Sequence, residues 1–105
     1  MRIQRALLLI LVAALTGCIR SHKEQLLQED LALMRHAIDN FAQKEGRSPE
    51  SLDELVSRKY INSIPVDPFT GSSSSWTVER EGAAIFDVHS GSHATGSNGK
   101  PYIQW

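Results

Sequence analysis

The chain has 105 residues, of which 41% are hydrophobic and 22% are charged, a composition typical of one small globular domain rather than of a disordered protein. Eleven Lys and Arg residues against twelve Asp and Glu residues give a formal net charge of −1, so the charge gives no reason to expect a nucleic-acid partner. The single cysteine, Cys18, excludes an internal disulfide.

The first 17 residues have the pattern of an export signal. Arg2 and Arg5 form a positive n-region, and the apolar residues 6–15 form an h-region. Ten helical residues reach about 15 Å, half of a hydrocarbon core about 30 Å thick, which disfavours a spanning helix. Residues 15–18, Leu-Thr-Gly-Cys, resemble the lipobox of bacterial lipoproteins, in which the cysteine is acylated and becomes the mature N-terminus.

This resemblance implies a lipoprotein signal peptide at residues 1–17, lipidation of Cys18, and a short lipidated tether at residues 18–22. The alternative is an ordinary signal peptide, or a short uncleaved anchor, that happens to contain a cysteine. A lipid anchor implies a protein of the bacterial cell envelope that is tethered to a membrane and faces the periplasm. Ile19 stands where inner-membrane lipoproteins often have Asp, which favours the outer membrane over the inner one.

A helical period begins at Lys23. The spacing of four, three, four and three residues predicts one long amphipathic helix, and its apolar stripe is Leu27, Leu31, Met34, Ile38 and Phe41. A coiled-coil seam is the alternative, but the stripe lasts under three heptads. Gly46 is expected to end the helix.

The positions of the charged residues on this helix predict which of them are exposed, paired or buried. Glu24 lies on its wetter side, and Arg35 and Asp39 are spaced as an i,i+4 ion pair. Asp30 falls on the buried side, where a carboxylate needs hydrogen-bond donors. We therefore expect Asp30 to accept hydrogen bonds from the backbone of a covering loop.

A short second helix is predicted next. Ser48 as a cap, with Pro49 at the first helical position, is one start signal. Ser51 with Glu54 offers an alternative capping box one turn later. Beyond this helix, two prolines in the run at residues 64–68 predict an extended, non-helical corner.

Two strand-like runs follow, at residues 75–79 and 84–88, with the chain turning at residues 80–82. Two strands alone are marginally stable in water, so we expect this hairpin to cover the long helix. Trp105 is expected to be held against the core. The predicted fold class is α+β, with one long N-terminal helix and a short second helix packed on a small antiparallel sheet.

The order of residues from about 26 to 105 resembles the soluble domain of the major, G-type pseudopilin of type II secretion. The most specific part is the run Ile-Pro-Val-Asp-Pro at residues 64–68, which follows the Ser-Leu-x-x-Leu pattern at 51–55. The matching segments are 30–31, 37–41, 48–52, 55–56, 60–61, 64–68 and 87–90. The resemblance implies a pseudopilin-like head over residues 23–105 and a structural role, not an enzymatic one.

The N-terminus departs from that family, whose subunits polymerise through a hydrophobic helix exposed by prepilin peptidase. Here the apolar run lies before the expected cleavage, and Gly17 is followed by Cys18-Ile19-Arg20. The expected function is therefore that of a membrane-tethered lipoprotein, a structural or accessory component of a secretion or pilus-like assembly. Its expected partners are proteins of that assembly and the membrane, through the lipid.

The G-type family also binds calcium in its C-terminal loop. Asp87 and Ser90 match the start of that motif, and Ser92 and Asn98 offer further oxygens, but the family's acid-rich loop is absent. Calcium takes six to eight oxygens, several of them from carboxylates. The expectation is therefore no cofactor and no metal, with Asp87, Ser90 and Asn98 as calcium candidates.

The first rival function is that of an enzyme. His89 and His93 are spaced as zinc ligands on a helix, but the surrounding Ser and Gly residues favour a loop, and the sequence shows no nucleophile–base pair. The other rival is an envelope lipoprotein that binds a peptide or glycan through exposed Trp76, Tyr102 and Trp105. Burial of both tryptophans would favour the structural role instead.

Overall fold

The computed structural model describes residues 20–105 with their side chains. The first helix, α1, spans Arg2–Glu45. The predicted signal peptide at residues 1–17 and the predicted lipidation site Cys18 lie outside the described residues. As far as the chain is described, none of its helices combines the length and the apolar character needed to cross a bilayer.

Four elements follow α1 along the chain: helix α2 (Leu52–Ser57), strand β1 (Thr77–Glu81), strand β2 (Ala84–His89) and a single 3₁₀ turn at Tyr102–Gln104. The two strands form one antiparallel sheet. The predicted α+β class, with one long helix, one short helix and a small antiparallel sheet, is confirmed.

The core lies between α1 and the segments that cover it. All five residues of the predicted stripe on α1 are buried, together with Ala37. They meet buried side chains from the other elements: Leu55, Ile61, Trp76, Ile85, Val88 and Tyr102. The helix ends as predicted, because Gly46 takes a positive φ of 71° and its N–H donates to the carbonyl of Ala42 over 3.1 Å.

Helix α2 begins later than Ser48 predicts. Its N-cap is Ser51, whose Oγ accepts from the N–H of Glu54 over 3.1 Å, so the alternative start is correct. Pro49 lies before the helix, is buried, and offers its carbonyl to the N–H of Ile85 over 2.8 Å. The residues after Ser48, expected to form the first turn of the helix, are therefore not helical, and Pro49 covers β2 instead.

The hairpin turn is also displaced from the prediction at residues 80–82. Strand β1 continues through Glu81, and the chain turns at Gly82, which has a φ of 63°. The register passes from Glu79 opposite Asp87 to Arg80 opposite Ile85, which leaves Phe86 without a partner. This bulge lets Ile85 and Val88, three residues apart, both face the core, while Phe86 remains 52% exposed.

Candidate functional site

Arg35 connects α1 to β2 and to the last residue. Its Nε donates to Oδ1 of Asp87 over 2.8 Å, and its Nη2 donates to the carbonyls of Val88 and Trp105 over 2.9 Å and 2.6 Å. The predicted partner, Asp39, is exposed and is not paired with Arg35 among the described residues. That expectation is wrong, because β2 brings a carboxylate and two carbonyl groups within reach of the guanidinium.

Three ionisable side chains lie together at the end of the hairpin: Glu79, Asp87 and His89. Nε2 of His89 is 3.4 Å from Oε1 of Glu79 and 3.7 Å from Oδ2 of Asp87. Glu79 and Asp87 are cross-strand partners, and His89 follows Asp87 by two residues, which places both on one side of β2. The sequence did not single out Glu79 as a site residue. Only the register of the two strands, which pairs Glu79 with Asp87, could have indicated it.

The histidine pair considered as a zinc site behaves as the loop prediction expects. His89 is the last residue of β2, and His93 is exposed in an irregular segment after it. The two residues therefore do not share a helix face.

The calcium candidates are each engaged with a different partner. Asp87 accepts from Arg35 and from the backbone N–H of Val88, and the hydroxyl of the fully buried Ser90 donates to Asp67 over 2.6 Å. Oδ1 of Asn98 accepts from Lys100 N–H and Trp105 Nε1. A set with one carboxylate, already bonded to a guanidinium, does not fit calcium, which needs many oxygens around one point.

The carboxylate that serves a covering loop is Asp67 rather than Asp30. Asp67 is fully buried and accepts from Phe69 N–H, Ser90 Oγ and Gly91 N–H, over 2.9, 2.6 and 3.0 Å. The side chain of Asp30 makes no hydrogen bond to another described residue, and its partial burial, with the charges of Glu29 and Asp67, raises its pKa. The expectation for Asp30 is therefore wrong.

Glu24 is a second buried carboxylate, where the sequence placed it on the wetter side of α1. It is 8% exposed; its Oε1 accepts from Ser97 N–H over 2.9 Å and from the Tyr102 hydroxyl over 2.8 Å. Burial by itself would raise the pKa of Glu24, but the hydrogen bonds from Ser97 and Tyr102 outweigh it, so the pKa is lowered. One turn earlier, Arg20 donates to the carbonyl of Thr95.

The three aromatic residues considered for ligand binding all have internal partners. Trp76 is buried, and its Nε1 donates to the carbonyl of Pro65 over 2.8 Å. Tyr102 is buried and stacks on Phe69 with ring centroids 3.8 Å apart. Trp105 packs edge-on against Tyr102 at 5.0 Å, so the expectation that it is held against the core is confirmed.

An open cleft of about 460 Å³ lies between α1 and the C-terminal loop. Its polar side chains are Gln28, Arg35, Asn98 and Trp105, and the last three make internal hydrogen bonds. The cleft therefore owes its shape to the contacts that hold the C-terminal loop in place.

No family model matches the chain, and the comparisons with curated proteins and with solved structures give no significant match.

Proposed function

We propose that this chain is a lipoprotein, tethered to a bacterial membrane through Cys18, whose head is a structural or accessory component of a secretion or pilus-like assembly. The observation that carries the proposal is the clamp between the C-terminal loop and the start of the described helix. Arg20 and Glu24 bind Thr95, Ser97 and Tyr102, so the folded head begins two residues after Cys18.

A head attached in this way differs from a domain on a long flexible linker. Helix α1 runs without a break through residues 20–22 of the tether expected at residues 18–22, so an acylated Cys18 would hold the head close to the membrane surface. A fixed height and orientation suit a subunit that must meet partners built into the same membrane.

The use of polar groups inside the head also supports a structural role. Asp67 joins two loops, Arg35 joins α1 to β2, and Glu24 joins α1 to the C-terminal loop. Every buried side-chain polar atom in the described part of the chain has a hydrogen-bond partner. These groups satisfy one another and hold the elements in position.

The alternative function, capture of a peptide or glycan through exposed aromatic rings, has less support. It requires accessible rings, whereas Trp76 and Tyr102 are buried. Of the three rings, Trp105 alone lines the open cleft. It is therefore the one ring that could still contact a peptide or glycan.

The tether is tested by metabolic labelling with a palmitate analogue in a bacterial host. We expect the wild-type chain to incorporate the label and Cys18→Ala to lose it, while Ser21→Ala, a neighbouring change that keeps the thiol, labels normally. A wild-type chain that carries no label, with its leader still attached in the mass spectrum, would contradict the lipoprotein proposal.

The assembly role is tested by deletion in the bacterium that encodes the chain. We expect deletion to reduce export through the type II or pilus-like system, and the wild-type gene, but not Cys18→Ala, to restore it. Unchanged export, together with the absence of any chemical cross-link between the chain and a component of that system, would contradict the role. Enrichment of a defined peptide or glycan on the purified chain would favour the alternative function.

A further inference from the structure

We propose that Glu79, Asp87 and His89 form a binding site for a zinc ion, with one imidazole nitrogen and two carboxylate oxygens as its ligands. This donor set is typical of zinc and of similar divalent transition metals. It is distinct from the calcium candidates, which share only Asp87 with it.

The distances between the three groups suit a small ion. In a tetrahedral zinc site the ligands lie about 2.0–2.2 Å from the metal, which places neighbouring ligand atoms about 3.3–3.6 Å apart. Nε2 of His89 is 3.4 Å from Oε1 of Glu79 and 3.7 Å from Oδ2 of Asp87, and all three ligand atoms lie within 4.8 Å of one another. Small side-chain rotations therefore suffice to bring them onto one ion.

The backbone and Arg35 fix two of the three ligands. The strand register sets Glu79 opposite Asp87. Oδ1 of Asp87 is occupied by Arg35 Nε and Val88 N–H, both at 2.8 Å, which directs the other oxygen, Oδ2, toward His89. The arrangement resembles the support that protein donors give to metal-binding carboxylates from the outer shell.

Arg35 also limits the affinity of this site. Its Nη2 lies 3.5 Å from Nδ1 of His89, and a metal on Nε2 requires the proton to be on Nδ1. Two donors would then face each other, so the ring must shift slightly, and the guanidinium charge opposes the cation. We therefore expect binding in the micromolar range, with the fourth position taken by water.

The expected selectivity follows from the imidazole ligand. Calcium and magnesium prefer oxygen ligands, in sets of six or more, and this site offers two carboxylate oxygens and a nitrogen. Zinc is expected to bind, and calcium and magnesium are not.

The test is a calorimetric titration of the full chain, purified in detergent without a histidine tag, with zinc chloride. We expect one zinc per chain and an affinity loss of at least about tenfold for both His89→Gln and Glu79→Gln, since loss of a direct ligand costs no less than the 10–100-fold typical of outer-shell partners. Glu79 is half exposed, so its substitution is not expected to disturb folding, which circular dichroism checks.

Matched controls separate this site from other donors. Glu81→Gln removes an exposed carboxylate from the same strand, His93→Gln removes the nearby loop histidine, and Cys18→Ser removes the cysteine sulfur, whether acylated or free. All three are expected to bind zinc within twofold of wild type. Absence of saturable binding to the wild type, or an equal loss in His93→Gln and His89→Gln, would overturn the proposal.

Discussion

Asp67 shows how a single residue fixes the path of two loops. A carboxylate loses much of its hydration on burial and must recover it through hydrogen bonds. The three donors around Asp67 come from its own corner, through Phe69, and from the chain after β2, through Ser90 and Gly91. The prolines at 65 and 68 keep this corner extended, so the carboxylate reaches the second loop without further ordering.

We predict that Asp67→Asn lowers the free energy of unfolding by about 1–3 kcal/mol, because an amide NH₂ in place of Oδ2 leaves the N–H of Gly91 without an acceptor. Urea denaturation followed by circular dichroism measures the change. The control is Asp39→Asn, an exposed site, for which we expect a change within about 0.5 kcal/mol. Equal effects of the two substitutions would contradict the role given to Asp67.

At the scale of elements, the position of helix α2 depends on the hydrogen bonds at its N-terminus, because the helix is too short to be stable by itself. It has only six residues, too few to be stable alone. The hydroxyl of Ser51 accepts from Glu54 N–H, and Glu54 in turn accepts from Glu50 N–H over 3.0 Å and pairs with Arg47 over 2.8 Å. These bonds set where the helix begins and align Leu55 with the core.

The two serines considered as caps give a direct comparison. We predict that Ser51→Ala destabilises the protein by about 1 kcal/mol, the usual cost of losing a cap, whereas Ser48→Ala changes it by less than about 0.5 kcal/mol. Thermal unfolding of both variants measures the difference. A larger loss of stability in Ser48→Ala than in Ser51→Ala would indicate that the helix begins at Ser48 and would contradict this prediction.

On the scale of the whole molecule, the C-terminal loop closes the fold on the middle of α1, around Glu24. Residues more than 70 positions apart meet there, since Glu24 binds Ser97 and Tyr102. The same loop is held further along α1 by the bond from Arg35 to Trp105. Two attachments on one rigid helix keep Tyr102 packed between Phe69 and Trp105.

We predict that Glu24→Ala loosens this loop and costs about 2–3 kcal/mol, because the buried Tyr102 hydroxyl loses its charged acceptor. Faster hydrogen exchange at the amides of Ser97 and Tyr102, with lower urea stability, is the expected result. Glu29→Ala is the control, since Glu29 is exposed on the same helix. Unchanged exchange in Glu24→Ala would contradict the clamp.

The acid sensitivity of the molecule follows from lowered carboxyl pKa values. The hydrogen bond from Arg47, followed by that from the backbone of Glu50, lowers the pKa of Glu54 from its ordinary 4.5 to about 2. Because the unfolded chain binds the proton more readily, the contribution of Glu54 is complete above pH 4.5 and is lost as the pH falls toward 2. Lowering of the pKa of Glu24 acts in the same direction.

We predict that the melting temperature of the wild type falls between pH 5 and pH 2, and that the fall is shallower in Glu54→Gln. Glu81→Gln, at an exposed position on β1, is expected to keep the wild-type slope. Scanning calorimetry at several pH values measures both. Identical slopes in Glu54→Gln and wild type would show that Glu54 is not the group responsible.

The sequence by itself determined the features that depend on neighbouring residues. The period of the apolar side chains predicted the stripe on α1, Gly46 marked its end, and the alternation after residue 75 predicted a hairpin that covers it. Each rests on spacing of a few residues, because helices and hairpins repeat over short distances.

Only the tertiary structure decided which charged groups meet. Arg35 pairs with Asp87 instead of Asp39, Asp67 rather than Asp30 is buried under donors, and Glu79 comes beside His89. These choices depend on where a loop or strand far along the chain comes to lie, and on the bulge that sets the register of β2. The spacing of neighbouring residues does not predict such distant contacts, because packing of the core brings the donors and carboxylates together.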